Sequence, residues 1–236
     1  MLVRRRIAGE PLEYILGWAE FCGLRIRVRP GVFVPRRRTE FLVTRAAHLA
    51  TQHRHPLLLD MCCGSGAIGT ALATRLRDVQ LYATDIDPTA VDCARENVGP
   101  RGTVTLGDLF APLPADLHGR VDLIVANAPY VPTAEISLMP REARLHETRA
   151  TLDGGGDGLN LHRRISAEAP AWLALGGSLL IETSERQAAR TADIMVQADL
   201  VSSIERSDEF DATVVVGTRS PKTPSPVGDT VRMVEK

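Results

Sequence analysis

Residues 57–219 alternate short apolar runs with longer amphipathic segments, and this alternation restricts the chain to one class of fold. Short apolar runs indicate buried strands, whereas apolar residues spaced three and four apart indicate helices. Strands that alternate with helices are typical of an open, mostly parallel sheet covered by helices. We therefore expect an α/β fold with a seven-stranded, mostly parallel sheet.

The strands of this sheet are predicted at Leu57–Met61, Gln80–Asp85, Thr103–Leu106, Val121–Ala126, Ser178–Thr183, Val201–Glu205 and Ala212–Gly217. The helices are predicted at Ala67–Leu76, Pro88–Asn97, Leu159–Leu173 and Arg186–Ala198. Only a turn-prone segment separates the last two strands, so they pair antiparallel or flank a central strand as a hairpin-like excursion. We expect the last strand of the sheet to be antiparallel.

Upstream of the sheet, Trp18–Phe21 and Leu24–Val28 predict a β-hairpin, and Arg38–Gln52 has helical spacing. The chain thus divides into an N-terminal segment with the hairpin (1–37), a domain (38–219) and a tail (220–236). The tail is expected to be disordered because it has no apolar periodicity. Residues 131–157 form a long strandless segment, which in a compact domain is usually functional. For its acidic part, from Glu142 to Glu147, a solvated loop is the default interpretation.

The net charge of −1 gives no electrostatic footprint for general nucleic-acid binding. The first 40 residues do hold nine arginines, which we interpret as a solvated surface, with a basic face for an acidic partner as the alternative. No apolar run approaches the ~18 residues of a membrane span, and no secretory signal opens the chain. The cysteines and histidines lack metal-ligand spacing. We expect a cytoplasmic protein without a metal site or membrane contact.

The strand predicted at Leu57–Met61 leads into a glycine-rich turn, Cys62-Cys63-Gly64-Ser65-Gly66-Ala67-Ile68-Gly69. Glycines such as Gly64 and Gly66 let the backbone pass close to a ligand and leave helix N–H groups facing it. This pattern alone fits a dinucleotide-binding fold equally well. The ligand has to be inferred from neighbouring residues.

Acidic residues near the ends of three successive strands supply that information. Asp60 precedes the turn, where a carboxylate would repel a pyrophosphate but can hold the ammonium group of a methionine moiety. Asp85 ends the next strand and is placed to accept both hydroxyls of a ribose. Asp108 and Leu109 follow the third strand and offer a carboxylate and an apolar wall to an adenine ring. Each aspartate alone could be a helix N-cap, but three at one sheet edge favour S-adenosylmethionine as cofactor.

The fourth strand ends in Asn127-Ala128-Pro129-Tyr130, which resembles the Asn-Pro-Pro-Tyr motif of amino- and amide-methyltransferases. Two upstream blocks are similar to the protein-(glutamine-N5) methyltransferase family of the HemK/PrmC type. They are Gly9-Glu10-Pro11-Leu12-Glu13-Tyr14 with Gly17, and Pro30-Gly31-Val32-Phe33-Val34-Pro35-Arg36 through Thr39-Glu40. The upstream blocks are the specific part of the resemblance, because nucleic-acid adenine methyltransferases share only the tetrapeptide.

This resemblance implies a Rossmann-like methyltransferase that acts on the glutamine side chain in the Gly-Gly-Gln loop of a peptide-chain release factor. It places Phe33 and Asn127 where cofactor and glutamine meet. The Asn127 side-chain oxygen and the Ala128 backbone carbonyl are natural acceptors for the two amide N–H bonds. Pro129 stiffens the turn, and Tyr130 offers a flat face to the planar amide. Catalysis would rest on positioning and electrostatics, without an obligatory general base.

Two features depart from the family pattern. Ala128 replaces the first proline of the motif, and the family's N-terminal helical domain is expected to be missing. These departures leave open a small-molecule N- or O-methyltransferase on the same scaffold. An adenine N6-methyltransferase on nucleic acid is a further alternative, although an obvious basic, aromatic recognition segment is lacking. The last alternative is a non-catalytic cofactor-binding protein, and the intact Asn127 and Tyr130 argue against it.

Overall fold

The computed structural model describes residues 2–221, except for the side chains at positions 141 and 143. Its strands are β1 (Trp18–Phe21), β2 (Leu24–Arg27), β3 (Leu57–Met61), β4 (Gln80–Asp85), β5 (Gly102–Leu106), β6 (Val121–Ala126), β7 (Leu173–Thr183), β8 (Val201–Ser207) and β9 (Ala212–Thr218). Its helices are α1 (Leu2–Ile7), α2 (Leu12–Leu16), α3 (Glu40–Ala50), α4 (Ala67–Arg75), α5 (Pro88–Val98), α6 (Arg141–His146), α7 (Asn160–Trp172) and α8 (Glu185–Gln197).

Strands β3 to β9 form one sheet in the order β5-β4-β3-β6-β7-β9-β8. The first five strands of this order are parallel to one another. Strand β9 lies between β7 and β8 and is antiparallel to both. The predicted α/β class, with a seven-stranded, mostly parallel sheet and an antiparallel last strand, is confirmed. The predicted hairpin is also confirmed, because β1 and β2 pair antiparallel as a separate ribbon.

The central strand β3 is buried along its whole length, as parallel strands covered on both faces usually are. Leu58 lies on the face that packs against α3, α4 and α5. Leu59 and Met61 lie on the opposite face, which packs against α7 and α8. Strand β3 therefore contributes side chains to the hydrophobic cores on both faces of the sheet. Because side chains alternate between faces, Asp60 points to the same side as Leu58.

The segment 131–157 contains no named strand, as predicted, but it is more ordered than a simple loop. It includes 3-10 turns at Thr133–Leu138 and Arg149–Thr151, with α6 between them. Isolated bridges join Val131 to Asp153 and Gly31 to Glu147. The second bridge ties the segment to the chain that follows β2. The predicted tail lies, from residue 222 onward, outside the described residues.

Most of the arginines among the first 40 residues form ion pairs with other residues of the chain. Six of the nine form ion pairs with glutamates: Arg5 with Glu10, Arg6 with Glu142, Arg27 and Arg29 with Glu96, Arg36 with Glu147, and Arg38 with Glu182. These charges are therefore largely compensated inside the molecule. Across residues 2–221 we find neither a helix long and apolar enough to cross a membrane nor a cluster of side chains suited to a metal ion.

Candidate active site

The carboxyl ends of β3, β4, β5 and β6 meet at one edge of the sheet, where they border a cavity of about 220 Å³. From β3 the chain continues to β4 and β5 on one side and then returns to place β6 on the other side. Such a reversal opens a crevice at the carboxyl edge, which is where α/β sheets of this kind bind ligands. The cavity therefore lies at the position that the topology favours.

Nine of the eleven predicted site residues line this cavity: Phe33, Gly64, Asp85, Asp108, Leu109, Asn127, Ala128, Pro129 and Tyr130. Asp60 and Gly66 are not part of its lining. Gly66 adopts a left-handed backbone conformation, with φ of +73°, and a Cβ there would lie 3.0 Å from the Ala94 Cβ. This glycine thus lets α4 begin close to α5, where a larger residue would be crowded.

Asp60 is fully buried beneath the glycine-rich turn. Its Oδ2 accepts a hydrogen bond from the Gly69 N–H at 2.8 Å, and its Oδ1 has no partner within residues 2–221. Burial raises the pKa of Asp60 to about 7. The side chain points toward α4 because strand alternation fixes its face. Asp60 thus contacts the glycine-rich turn directly, and its contact with a methionine ammonium group stays a prediction.

Asp85 joins the end of β4 to the glycine-rich turn. Its Oδ2 accepts a hydrogen bond from the Gly64 N–H at 2.8 Å, and its Oδ1 accepts one from the Asp87 N–H at 3.0 Å. Burial raises the pKa of Asp85, and these N–H groups oppose the effect. A carboxylate has about four lone-pair positions. The two backbone bonds thus leave acceptor capacity for the hydroxyl groups of a ligand.

The cavity is also bordered by apolar side chains and by an ion pair. Leu109 and Phe33 line it, and the Arg36 guanidinium lies 5.2 Å from the centre of the Phe33 ring. Asp108 Oδ2 accepts a hydrogen bond from Arg164 Nη2 at 2.7 Å. Arg164, on α7, also lines the cavity but was not predicted. A charged residue on an amphipathic helix resembles any solvated one, so the sequence carries no signal for it.

The predicted tetrapeptide begins directly after β6. Asn127 Nδ2 donates a hydrogen bond to Thr39 Oγ1 at 3.2 Å, and Ala128 is fully buried. Within residues 2–221, no hydrogen bond is made to Asn127 Oδ1 or to the Ala128 carbonyl oxygen. Both residues line the cavity, and these two oxygens are not committed to partners in that part of the chain. Thr39, which also lines the cavity, belonged to a recognised sequence block but was not predicted as a site residue.

Gln187 and Gly158, which belongs to the glycine-rich run at 154–158, contact the last residue of the tetrapeptide. The Tyr130 carbonyl oxygen accepts a hydrogen bond from Gln187 Nε2 at 2.9 Å. Gly158 has a φ of +79°, and a Cβ there would lie 2.3 Å from that same oxygen. Burial raises the pKa of Tyr130 to about 12, so its hydroxyl stays protonated at neutral pH.

Part of the segment 131–157 covers the cavity. Met139 and Thr151 line it, together with neighbours of Thr151 on both sides. Glu147 is buried and forms an ion pair with Arg36. The acidic part of this segment is therefore not simply a solvated loop, since Glu147 fastens it to the residues next to Phe33.

Residues 23–159 match the family model described as Methyltransferase small domain. A release factor glutamine methyltransferase of Geobacter sulfurreducens is 40% identical over 225 residues, which cover 92% of this chain and 76% of the relative. One of Streptomyces coelicolor is 40% identical over 189 residues, which cover 79% and 67%. A solved methyltransferase from Pyrococcus furiosus superposes with a TM-score of 0.60 at 15% identity, over 93% of this chain and 96% of that one. At this low identity, the structural match shows the shared fold alone.

Proposed function

The chain belongs to the family of release factor glutamine methyltransferases, and we propose that it methylates the side-chain amide nitrogen of a glutamine in a peptide-chain release factor, using S-adenosylmethionine. One observation carries the proposal. Asn127 and Ala128 line the same cavity as Asp85 and Leu109, and neither Asn127 Oδ1 nor the Ala128 carbonyl oxygen has a hydrogen-bond partner within residues 2–221. An amide NH₂ group needs two acceptors of this kind.

The cavity lining fits S-adenosylmethionine. We assign the ribose hydroxyls to Asp85, and the adenine ring to the apolar wall around Leu109, with Asp108 beside it. We place Phe33 where the cofactor and the glutamine meet. We place Gly64 in the loop next to the cofactor. For Asp60 we propose an indirect role, in which it holds the Gly69 N–H and so fixes the start of α4. When bound, the cofactor supplies an electrophilic methyl group on a positively charged sulfur.

The chain's own residues have to activate a poor nucleophile. An amide lone pair is delocalised into the carbonyl group, so the nitrogen is planar and weakly reactive. Asn127 Oδ1 and the Ala128 carbonyl oxygen accept hydrogen bonds from the two N–H groups of the amide. These bonds draw the nitrogen toward tetrahedral geometry and aim its lone pair at the methyl group. With S-adenosylmethionine bound, the nitrogen would take up the methyl group as the carbon–sulfur bond broke, and it would lose one N–H proton to water. Tyr130, being protonated, stacks rather than acts as a base. Positioning and electrostatics supply the acceleration.

The alanine at position 128 is compatible with this role. The acceptor is a backbone carbonyl, which alanine and proline both carry. A proline would stiffen the turn. Here the bond from Gln187 to the Tyr130 carbonyl and the packing of Gly158 against the same group hold the turn in place.

A methyl-transfer assay tests the proposal. The purified chain is incubated with tritiated S-adenosylmethionine and a Gly-Gly-Gln-containing release factor, and the product is located by mass spectrometry. The proposal predicts one methyl group on the glutamine side chain. A cell lysate serves as the parallel substrate. Label that enters nucleic acid or small molecules there, with none in the release factor, contradicts the proposal.

A further inference from the structure

Behind Asn127 lies a row of polar side chains that the proposed mechanism does not use. Thr39 ends the 3-10 turn at Arg37–Thr39, and Glu182 lies near the end of β7. Both are almost completely buried, with 2% and 1% of their surface exposed. Asn127 Nδ2 donates to Thr39 Oγ1, and the Thr39 hydroxyl lies beside the Glu182 carboxylate. Residues from three elements that are distant in sequence thus lie side by side, with Thr39 between Asn127 and Glu182.

The row has only one consistent direction of hydrogen bonding. A hydroxyl carries a single proton, and an ionised carboxylate can only accept. If the Thr39 proton points to Glu182, then Thr39 Oγ1 is left as an acceptor and must face the NH₂ end of Asn127. Glu182 Oε2 is buried and has no hydrogen-bond partner within the described part of the chain, so it is the acceptor open to the proton of the neighbouring Thr39 hydroxyl.

Arg38 favours the charged form of Glu182. Arg38 Nε donates to Glu182 Oε1 at 3.2 Å. Burial raises the pKa of Glu182, whereas the Thr39 hydroxyl and the Arg38 guanidinium lower it. Without such partners a buried carboxyl group would tend to hold a proton. A protonated Glu182 could donate to Thr39 and so reverse the row.

We propose that Thr39 and Glu182 are positioning residues that fix the side-chain amide of Asn127 with its oxygen toward the substrate nitrogen. The inference rests on the proposed function, in which Asn127 Oδ1 accepts an N–H of the glutamine amide. The two ends of an asparagine amide are almost equal in size, so shape alone cannot select one orientation. A reversed Asn127 would present NH₂ to NH₂, and the substrate amide would lose an acceptor.

Thr39→Val removes the acceptor while keeping the shape of the side chain. We expect kcat to fall roughly ten- to a hundredfold, the range seen when a partner that orients a functional side chain is lost. Affinity for S-adenosylmethionine should stay within about threefold, because the cofactor residues are untouched. Thr39→Ser restores the hydroxyl and should recover most of kcat. Glu182→Gln should lower kcat as well, since its NH₂ group can donate to Thr39 and reverse the row.

A double-mutant comparison separates positioning from a structural effect. If Thr39 acts through Asn127, then Thr39→Val should cause no further loss of kcat in the Asn127→Ala background. The matched control is Thr70→Val, because Thr70 is also buried and its hydroxyl has no partner within residues 2–221. This control should keep the wild-type kcat. A loss of equal size in both backgrounds would overturn the inference.

Hydrogen exchange of the Asn127 side chain can be measured without methyl transfer. It therefore tests the positioning role separately from the proposed function. The Asn127 side-chain NH₂ signals, identified in a ¹⁵N-correlated NMR spectrum by their loss in Asn127→Ala, should exchange slowly with water in the wild type. They should exchange faster in Thr39→Val. Unchanged exchange overturns the positioning role, even where the wild type methylates the release factor. Absence of wild-type transfer to the release factor, with the exchange difference present, instead contradicts the proposed function.

Discussion

The Asp85 carboxylate accepts a hydrogen bond from the Gly64 N–H at 2.8 Å, so the acidic end of β4 holds the turn that follows β3. The same carboxylate lines the cavity. One residue therefore connects the shape of the glycine-rich turn with the chemistry offered to a ligand. The orientation of this carboxylate is set before any ligand arrives, which lowers the cost of binding.

Asp85→Ala should weaken the binding of S-adenosylmethionine about ten- to a hundredfold. The change removes charge-assisted hydrogen bonds to the ribose, which are worth roughly 1.5–3 kcal/mol. Isothermal titration calorimetry measures the affinity, and Asp92→Ala is the control because Asp92 lies exposed on α5. Unchanged affinity in Asp85→Ala would remove Asp85 from the proposed ribose site.

Asp60→Asn should leave cofactor affinity within about threefold, because asparagine keeps an oxygen acceptor for the Gly69 N–H. A loss of tenfold or more would instead indicate direct contact with the ammonium group.

The pH dependence of the free energy of unfolding provides a second measurement on Asp60. Burial raises the pKa of Asp60 to about 7, so the stabilisation from this group is present at low pH and is lost as the pH rises through 7. From pH 5 to pH 8 the wild type should lose about 2–3 kcal/mol relative to Asp60→Asn in urea denaturation.

His162 should give the opposite pH dependence. It is fully buried on α7, with Nδ1 3.0 Å from Thr191 Oγ1, and burial lowers its pKa to about 4. The unfolded chain takes up a proton near pH 6.5 and the folded chain does not, so stability falls as the pH drops from 6.5 toward 4. His162→Phe removes this titration. Between pH 7.5 and pH 5, the wild type should lose about 2 kcal/mol more stability than His162→Phe. Equal losses would show that His162 is not held neutral.

The fold could be predicted from sequence because its strands are short apolar runs bounded by turns. The bounds of β3, β4 and β6 agree with those predicted, since both faces of these strands are buried. The ligand edge followed from topology, because loops after parallel strands meet at one edge. Asn127 and Asp85 were predicted at this edge for this reason, and both line the cavity.

The remaining features depend on contacts that no local pattern carries. Asp60 is buried beneath the glycine-rich turn and is not among the residues that line the cavity, although its sequence position suggested a ligand contact. Arg164 reaches the cavity from a helix that follows a long connection. Thr39 meets Asn127 across 88 residues of sequence. Long-range pairs of this kind become visible only once the sheet is assembled.

The most direct test of the account is single-turnover methyl transfer to a Gly-Gly-Gln-containing release factor, compared between the wild type and Asn127→Ala. Asn127 Oδ1 should matter mainly in the transition state, where the nitrogen becomes tetrahedral. The rate should therefore fall by about 10²–10³, the size expected for one preorganised polar group, while cofactor affinity changes little. Asn127→Asp keeps an acceptor and should retain part of the rate. Methyl on the glutamine side chain, lost in Asn127→Ala, is the predicted result. An unchanged rate in Asn127→Ala, or no transfer to the release factor by the wild type, would contradict the account.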